Sequence, residues 1–81
     1  MARLAVPSDM RQYTDGAATI EVAAENYRDM VSELRRRFPA LTGEIIRKQA
    51  LAIDGMIVTE PLLETFAPDS ELVFFAKIAG G

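Results

Sequence analysis

Tyr27, Met30, Val31, Leu34 and Phe38 recur at helical spacing, and Pro39 stops the pattern one residue later. Residues three and four apart stack on one side of a helix, so these side chains form an apolar stripe that a second layer must cover. Both ends are marked. Asn26 is placed to cap the first turn, Asp29 lies where the helix dipole favours an anion, and Arg35, Arg36 and Arg37 lie in the last turn, where it favours cations. Pro39 disfavours helical geometry at Phe38 and has no N–H to continue the ladder. One helix of this kind calls for a sheet to bury its stripe.

Strand patterns flank it. Arg3 to Val6 alternates, with Leu4 and Val6 on one side, and Ala18 to Val22 alternates again, with Ala18, Ile20 and Val22 together. The polar stretch from Ser8 to Gly16 between them reads as a loop with a turn at Asp15-Gly16, which makes the two strands a hairpin. Ala50 to Ile53, the Asp54-Gly55 turn and Met56 to Val58 form a second hairpin, because Asp-Gly tolerates the positive φ values of a tight turn. Leu41 to Gln49 is left open between a loop and a helical turn. Pro61 to Pro68 reads as an irregular crossing anchored by Leu62, Leu63 and Phe66, and the last strand runs from Glu71 to Ile78. The order strand, strand, helix, strand, strand, crossing, strand fits one sheet with one helix across its face.

Composition narrows the chemistry. With 81 residues, 49% apolar and 26% charged, the chain is expected to be one self-folding domain. It has no cysteine and no histidine, hence no thiolate, no disulfide, no cysteine-based metal site and none of the commonest general base. An autonomous enzyme is therefore not expected. A net charge of −3 gives no footprint for nucleic acid. No apolar run suggests a membrane span or a cleaved leader, so a cytoplasmic protein is expected. The carboxylates show no metal-loop spacing and no catalytic pair, and read as surface solubility. Arg28 and the Arg35-Arg36-Arg37 run read as a solvated helix face rather than a contact patch for an acidic partner. Met10, Met30 and Met56 read as core or loop filler.

The sequence closes on Gly80-Gly81. Without Cβ atoms such a tail can thread a narrow tunnel in a partner and adopt backbone angles closed to other residues, which makes the Gly81 carboxylate the candidate reactive group.

Three stretches carry a resemblance to a known family. They are the helix end Leu34-Arg35-Arg36-Arg37-Phe38-Pro39-Ala40-Leu41, the hairpin from Leu51 to Val58, and the ending from Asp69 to Gly81. With these the chain resembles, over nearly its whole length, the MoaD/ThiS-like ubiquitin-fold sulfur carriers, closest to the small subunit of molybdopterin synthase. Met10-Arg11-Gln12-Tyr13-Thr14 also looks like a MoaD-like subgroup that includes sulfur carriers for cysteine biosynthesis.

The resemblance implies an α+β, β-grasp (ubiquitin-like) fold: a mixed four- to five-stranded sheet packed on one main helix. Residues 1–81 would form a single such domain, with 77–81 a flexible C-terminal tail. It implies a carrier rather than an enzyme, with the small subunit of a sulfur-transferring synthase as one form of that role. An adenylating enzyme of the ubiquitin-activating type would activate Gly81 with ATP and magnesium, no cofactor being bound by the carrier itself. A sulfur donor protein would then convert it to a thiocarboxylate, which an acceptor such as the large subunit of molybdopterin synthase would consume. Thiamine, cysteine or another metabolite is the alternative destination, and a ubiquitin-like modifier or a non-covalent adaptor the alternative role. Gly80, Ala79, Ile78 and Lys77 would enter the partners' active sites. Ala76-Lys77 stands where MoaD-type endings usually carry Pro-Pro, so a less stiff tail is expected. Pro7 stands where a large apolar residue is common.

Parity along the last strand gives one more expectation. Leu72, Phe74, Ala76 and Ile78 share one face, and Val73, Phe75 and Lys77 the other. A lysine is costly to bury unpaired, so the odd face should turn away from the helix. Phe75, with Val73 and Pro7, is then the expected docking surface for a partner, as in carriers of this type; the alternative places Phe75 under the Pro61 to Pro68 crossing.

Overall fold

The last strand lies in the middle of the sheet. In the computed structural model, which describes residues 1–58 and 60–76, five strands run in the order β2-β1-β5-β3-β4. They are β1 (Ala2–Ala5), β2 (Thr19–Val22), β3 (Gln49–Ile53), β4 (Met56–Val58) and β5 (Glu71–Ala76). β5 pairs in parallel with β1 and antiparallel with β3, while β1–β2 and β3–β4 are antiparallel hairpins. The expected element order, the two hairpins and the mixed sheet are all present.

Helix α1 (Tyr27–Arg37) covers one face of this sheet. Its stripe is where the spacing put it: Tyr27, Met30 and Leu34 are buried, and Val31 and Phe38 pack against them half-buried. Opposite them the sheet supplies Leu4, Ile20, Val22, Leu51, Leu72 and Phe74. Complete burial of side chains of this size contributes roughly 1.5–3 kcal/mol each. Asn26 caps α1 through its Oδ1, which accepts the Asp29 N–H at 2.8 Å, and its Nδ2 donates to Asp29 Oδ2 at 2.9 Å.

Two stretches depart from expectation, and a third that the sequence left open is decided. The Ser8–Tyr13 segment is a 3-10 helix rather than a loop, because Pro7 fixes φ at −64°, its carbonyl accepts the Met10 N–H, and the turn buries Met10. The open stretch after Pro39 contains a short helix, α2 (Gly43–Arg47), capped by Thr42 Oγ1 and held inward by Leu41 and Ile46. The crossing is anchored by Pro61 and Phe66, not by Leu62 and Leu63, which are 60% and 83% exposed. Its backbone is laced to the start of α1, with Tyr27 N–H donating to the Glu64 carbonyl and Phe66 N–H to the Glu25 carbonyl. That lacing turns Pro61 and Phe66 inward and leaves the two leucines outside. Met56 is also no filler: it lies 74% exposed on the short edge strand β4.

Two carboxylates hold the connections together. Glu33, largely buried on α1, accepts the backbone N–H of Ala23 (3.0 Å) and Ala24 (3.1 Å), and Arg37 Nη1 donates to it at 2.8 Å. The same Nη1 donates to the Glu21 carbonyl at 2.7 Å, so one pair fastens the helix to the end of β2. Hydrogen bonds to charged groups contribute about 1.5–3 kcal/mol apiece, with overlap when several share one oxygen. Glu33→Ala should therefore lower the unfolding free energy by about 2–4 kcal/mol, and Glu33→Gln by about half as much. Urea unfolding of the two variants checks this; equal losses would mean that the negative charge, not the acceptor, matters.

Asp54, in the β3–β4 turn at φ 49°, accepts the Glu71 N–H and the Ser70 hydroxyl, each at 2.8 Å. First the backbone bond and then the hydroxyl hold its carboxyl below the ordinary 3.8. A depressed folded-state value means that this stabilisation is complete above about pH 4 and is lost as pH falls through the lower folded value. Asp54→Asn, which tolerates the same backbone angle, should melt below the wild type at pH 7, with the difference closing toward pH 2. A constant difference across thermal melts at both pH values would contradict the assignment.

Candidate functional site

The root of the tail is set by strand β5. Ala5 and Ala52 flank Val73 on the two neighbouring strands, and Ala50 lies opposite Phe75. Ile57 faces Ala52 from β4. Residues directly opposite one another point to the same face, so Ala5, Val73, Ala52 and Ile57 form a row across the outer side of the sheet, with Phe75 and Ala50 in the next row. The alanines are short. They leave the valine, the phenylalanine and the isoleucine to define the surface, with Val73 41% and Ile57 67% exposed and Phe75 half-buried.

The character changes along the strand. At the start of β5 the register sets Arg3 between Glu71 and Glu21, a charged row. The apolar rows lie toward the other end, where the chain runs on into residue 77. Pro7, half-buried, follows Ala5 by two residues as Phe75 follows Val73, which brings it to the level of Phe75 on the parallel neighbour. The outer face thus carries Val73 and Phe75 on one strand, with Ala5, Ala52 and Ile57 beside Val73, and Pro7 follows two residues after Ala5. Alternation along single strands carries no register, so the three residues beside Val73 could be reached only through the pairing of β5 with β1 and β3 and of β3 with β4.

On the even side of β5, Leu72 and Phe74 are fully buried beneath α1, while Ala76 at the strand end is exposed. The crossing that could have covered Phe75 is laced instead to the first turn of α1, on the helix side of the sheet. Lys77, Ile78, Ala79, Gly80 and Gly81 lie outside the described residues, as does the expectation of a flexible tail. At the last described position, Ala76 is paired with Gln49. Gln49 Oε1 is the one buried side-chain acceptor without a hydrogen-bond partner among the described residues.

Among the described residues no three Asp, Glu, His or Cys side chains gather as metal ligands, and no helix is long and apolar enough to cross a membrane.

No protein-family model matches the sequence, and no curated protein matches it. Solved structures match its fold from end to end. The crystal structure of the Amycolatopsis orientalis BexX/CysO complex has a chain that superposes with a TM-score of 0.79 at 17% identity, covering 100% of both chains. Mycobacterium tuberculosis CysO, described as an antigen, gives 0.76 at 12% identity over 96% of this chain and 100% of that one. The small archaeal modifier protein 1 of Methanosarcina acetivorans gives 0.76 at 17% identity over 99% and 95%. With the five-stranded mixed sheet and its helix, these matches make the fold a ubiquitin-like β-grasp.

Proposed function

We propose that this β-grasp chain is a cytoplasmic sulfur carrier that works through the carboxylate of Gly81. The observation that carries the reading is the position of β5: the strand leading to Gly80-Gly81 is clamped between β1 and β3, and an apolar outer face runs along it toward the tail. A partner docking on Val73, Phe75 and Pro7 would hold the root of the tail in a fixed place. The glycines could then reach an active site too narrow for side chains.

The chemistry follows from what a carboxylate lacks. It is a poor electrophile until a Gly81 oxygen attacks the α-phosphorus of ATP, bound with magnesium by an adenylating partner, and pyrophosphate leaves. The terminal sulfur of a persulfide on a donor protein then displaces AMP from the acyl carbon, and a second thiol of that donor attacks the donor-side sulfur of the resulting acyl disulfide, which closes a disulfide in the donor and releases the thiocarboxylate. Every catalytic group belongs to the partners, which accords with a chain free of cysteine and histidine. Molybdopterin biosynthesis, with a synthase large subunit as acceptor and this chain as the small subunit, is the proposed destination; thiamine, cysteine or another metabolite is the alternative. The likeness in fold to the small archaeal modifier protein 1 favours keeping one second reading, in which Gly81 is conjugated to a lysine of a target protein.

The test is intact-mass analysis after incubation with ATP, a sulfur donor and the cognate activating enzyme. A species heavier by one oxygen-to-sulfur exchange supports the carrier. Adducts on target lysines without that species would transfer the reading to the modifier.

A further inference from the structure

On the helix side of the molecule, away from the proposed docking face, a groove of about 240 Å³ lies between α1, α2 and the Pro61–Leu63 turn. Val31, Ile46 and Tyr27 supply an apolar floor, and exposed Leu62 closes one side. Arg28, Arg35 and Arg47 stand around it. Two of them converge at Gly43: a Cβ placed there would lie 3.7 Å from Arg35 Nη1 and 3.8 Å from Arg47 Nη1, so both guanidinium groups stand beside the same backbone position.

These charges have not been neutralised locally. Among the described residues the only ion pair is Arg37–Glu33, and none of Arg28, Arg35 or Arg47 takes part in one. Asp29, at the first turn of α1, accepts from Asn26, and Glu44 lies exposed in the first turn of α2. In a chain of net charge −3, gathering unpaired arginines around an apolar floor is a marked asymmetry. Arginine forks suit carboxylates in pairs, and an apolar floor suits an aliphatic side chain between them. An inorganic anion or a nucleic-acid backbone would use the charges and leave the floor unfilled.

We propose that the groove between α1 and α2 docks an acidic segment of a partner protein, with an aliphatic side chain on the Val31–Ile46 floor and carboxylates on Arg28, Arg35 and Arg47. The groove is separate from the outer sheet face, so a partner held here would leave that face free. It also gives the arginine-rich end of α1 a role beyond complementing the helix dipole.

The probe is a synthetic amidated peptide of glutamates with leucine at every third position, titrated into the 15N-labelled full chain. Shift changes should centre on Arg28, Val31, Arg35, Gly43 and Arg47. The double variant Arg35→Gln/Arg47→Gln should weaken binding on the order of tenfold or more, through the loss of charge-assisted contacts. Arg3→Gln, a charge loss on the sheet, should leave it unchanged. Both changes are at exposed positions, and a thermal melt confirms that each variant is folded. A peptide with serine for leucine should bind more weakly than the parent. Equal binding by the serine peptide, the same shifts from inorganic phosphate at equal concentration, shifts confined to the sheet face, or no shifts at all would each overturn the proposal. Self-association abolished by the double variant would assign the groove to a second copy and overturn it too.

Discussion

Deleting Gly81 is expected to abolish the sulfur-exchanged species completely while leaving the melting temperature unchanged. The carboxylate then belongs to Gly80 and sits one residue, roughly 3.5 Å of chain, short of where the activating enzyme needs it. Activation depends on bringing that oxygen in line with the α-phosphorus of ATP, and a misplacement of about 1 Å costs on the order of a hundredfold. Gly80→Val, which keeps the length but adds a branched side chain, should slow adenylation by about that hundredfold. ATP–pyrophosphate exchange measures both variants. Unaltered exchange in the deletion would remove the carrier and the modifier together and leave a non-covalent adaptor.

Two adjacent phenylalanines should give opposite phenotypes. Phe74 is 1% exposed in the core under α1, whereas Phe75 faces the outer side of the sheet. Phe74→Ala should cost about 3–5 kcal/mol, from lost transfer energy and the cavity left behind. For a domain of 81 residues, whose whole stability is of order 4–12 kcal/mol, that is enough to unfold a large part of the population at 37 °C. Phe75→Ala should cost only about 1 kcal/mol in stability. It should instead weaken binding to the activating enzyme by about thirtyfold, the effect of losing a central aromatic contact. Chemical unfolding and a binding titration on both variants decide it. If Phe75→Ala unfolds the protein and spares binding, the face assignment of β5 is reversed.

Local patterns revealed most of the architecture. The stripe from Tyr27 to Phe38, the Asp54-Gly55 turn and the alternation from Leu72 to Phe75 are each decided within a few residues, and each is found where its spacing puts it. The failures share a cause. Leu62 and Leu63 look like anchors because they are large and apolar, but the backbone bonds between the crossing and α1 decide which way that turn faces, and they join positions far apart in sequence. Glu33 was passed over for the same reason: its partners Ala23 and Ala24 offer only backbone N–H groups, which leave no mark in a sequence. Its i, i+4 spacing from Arg37 was the one visible sign. The convergence of Arg35 and Arg47 at Gly43 needed the fold of α2, where the sequence was ambiguous between loop and helix.

The place of β5 also bears on when the tail could become usable. Until β5 enters, β1 and β3 lie on either side of an empty slot, and no strand is hydrogen-bonded to both hairpins. The strand that fills the slot is the last strand of the sequence and pairs with the first, a contact of long range that is slow to form. A nascent or damaged chain lacking that closure would have no ordered root for its glycines, because the core residues Leu72 and Phe74 and the outer residues Val73 and Phe75 alternate on one strand. On the proposed carrier reading, folding is thereby checked by topology: a partner that needed this face would engage the chain only after the first and last strands had paired.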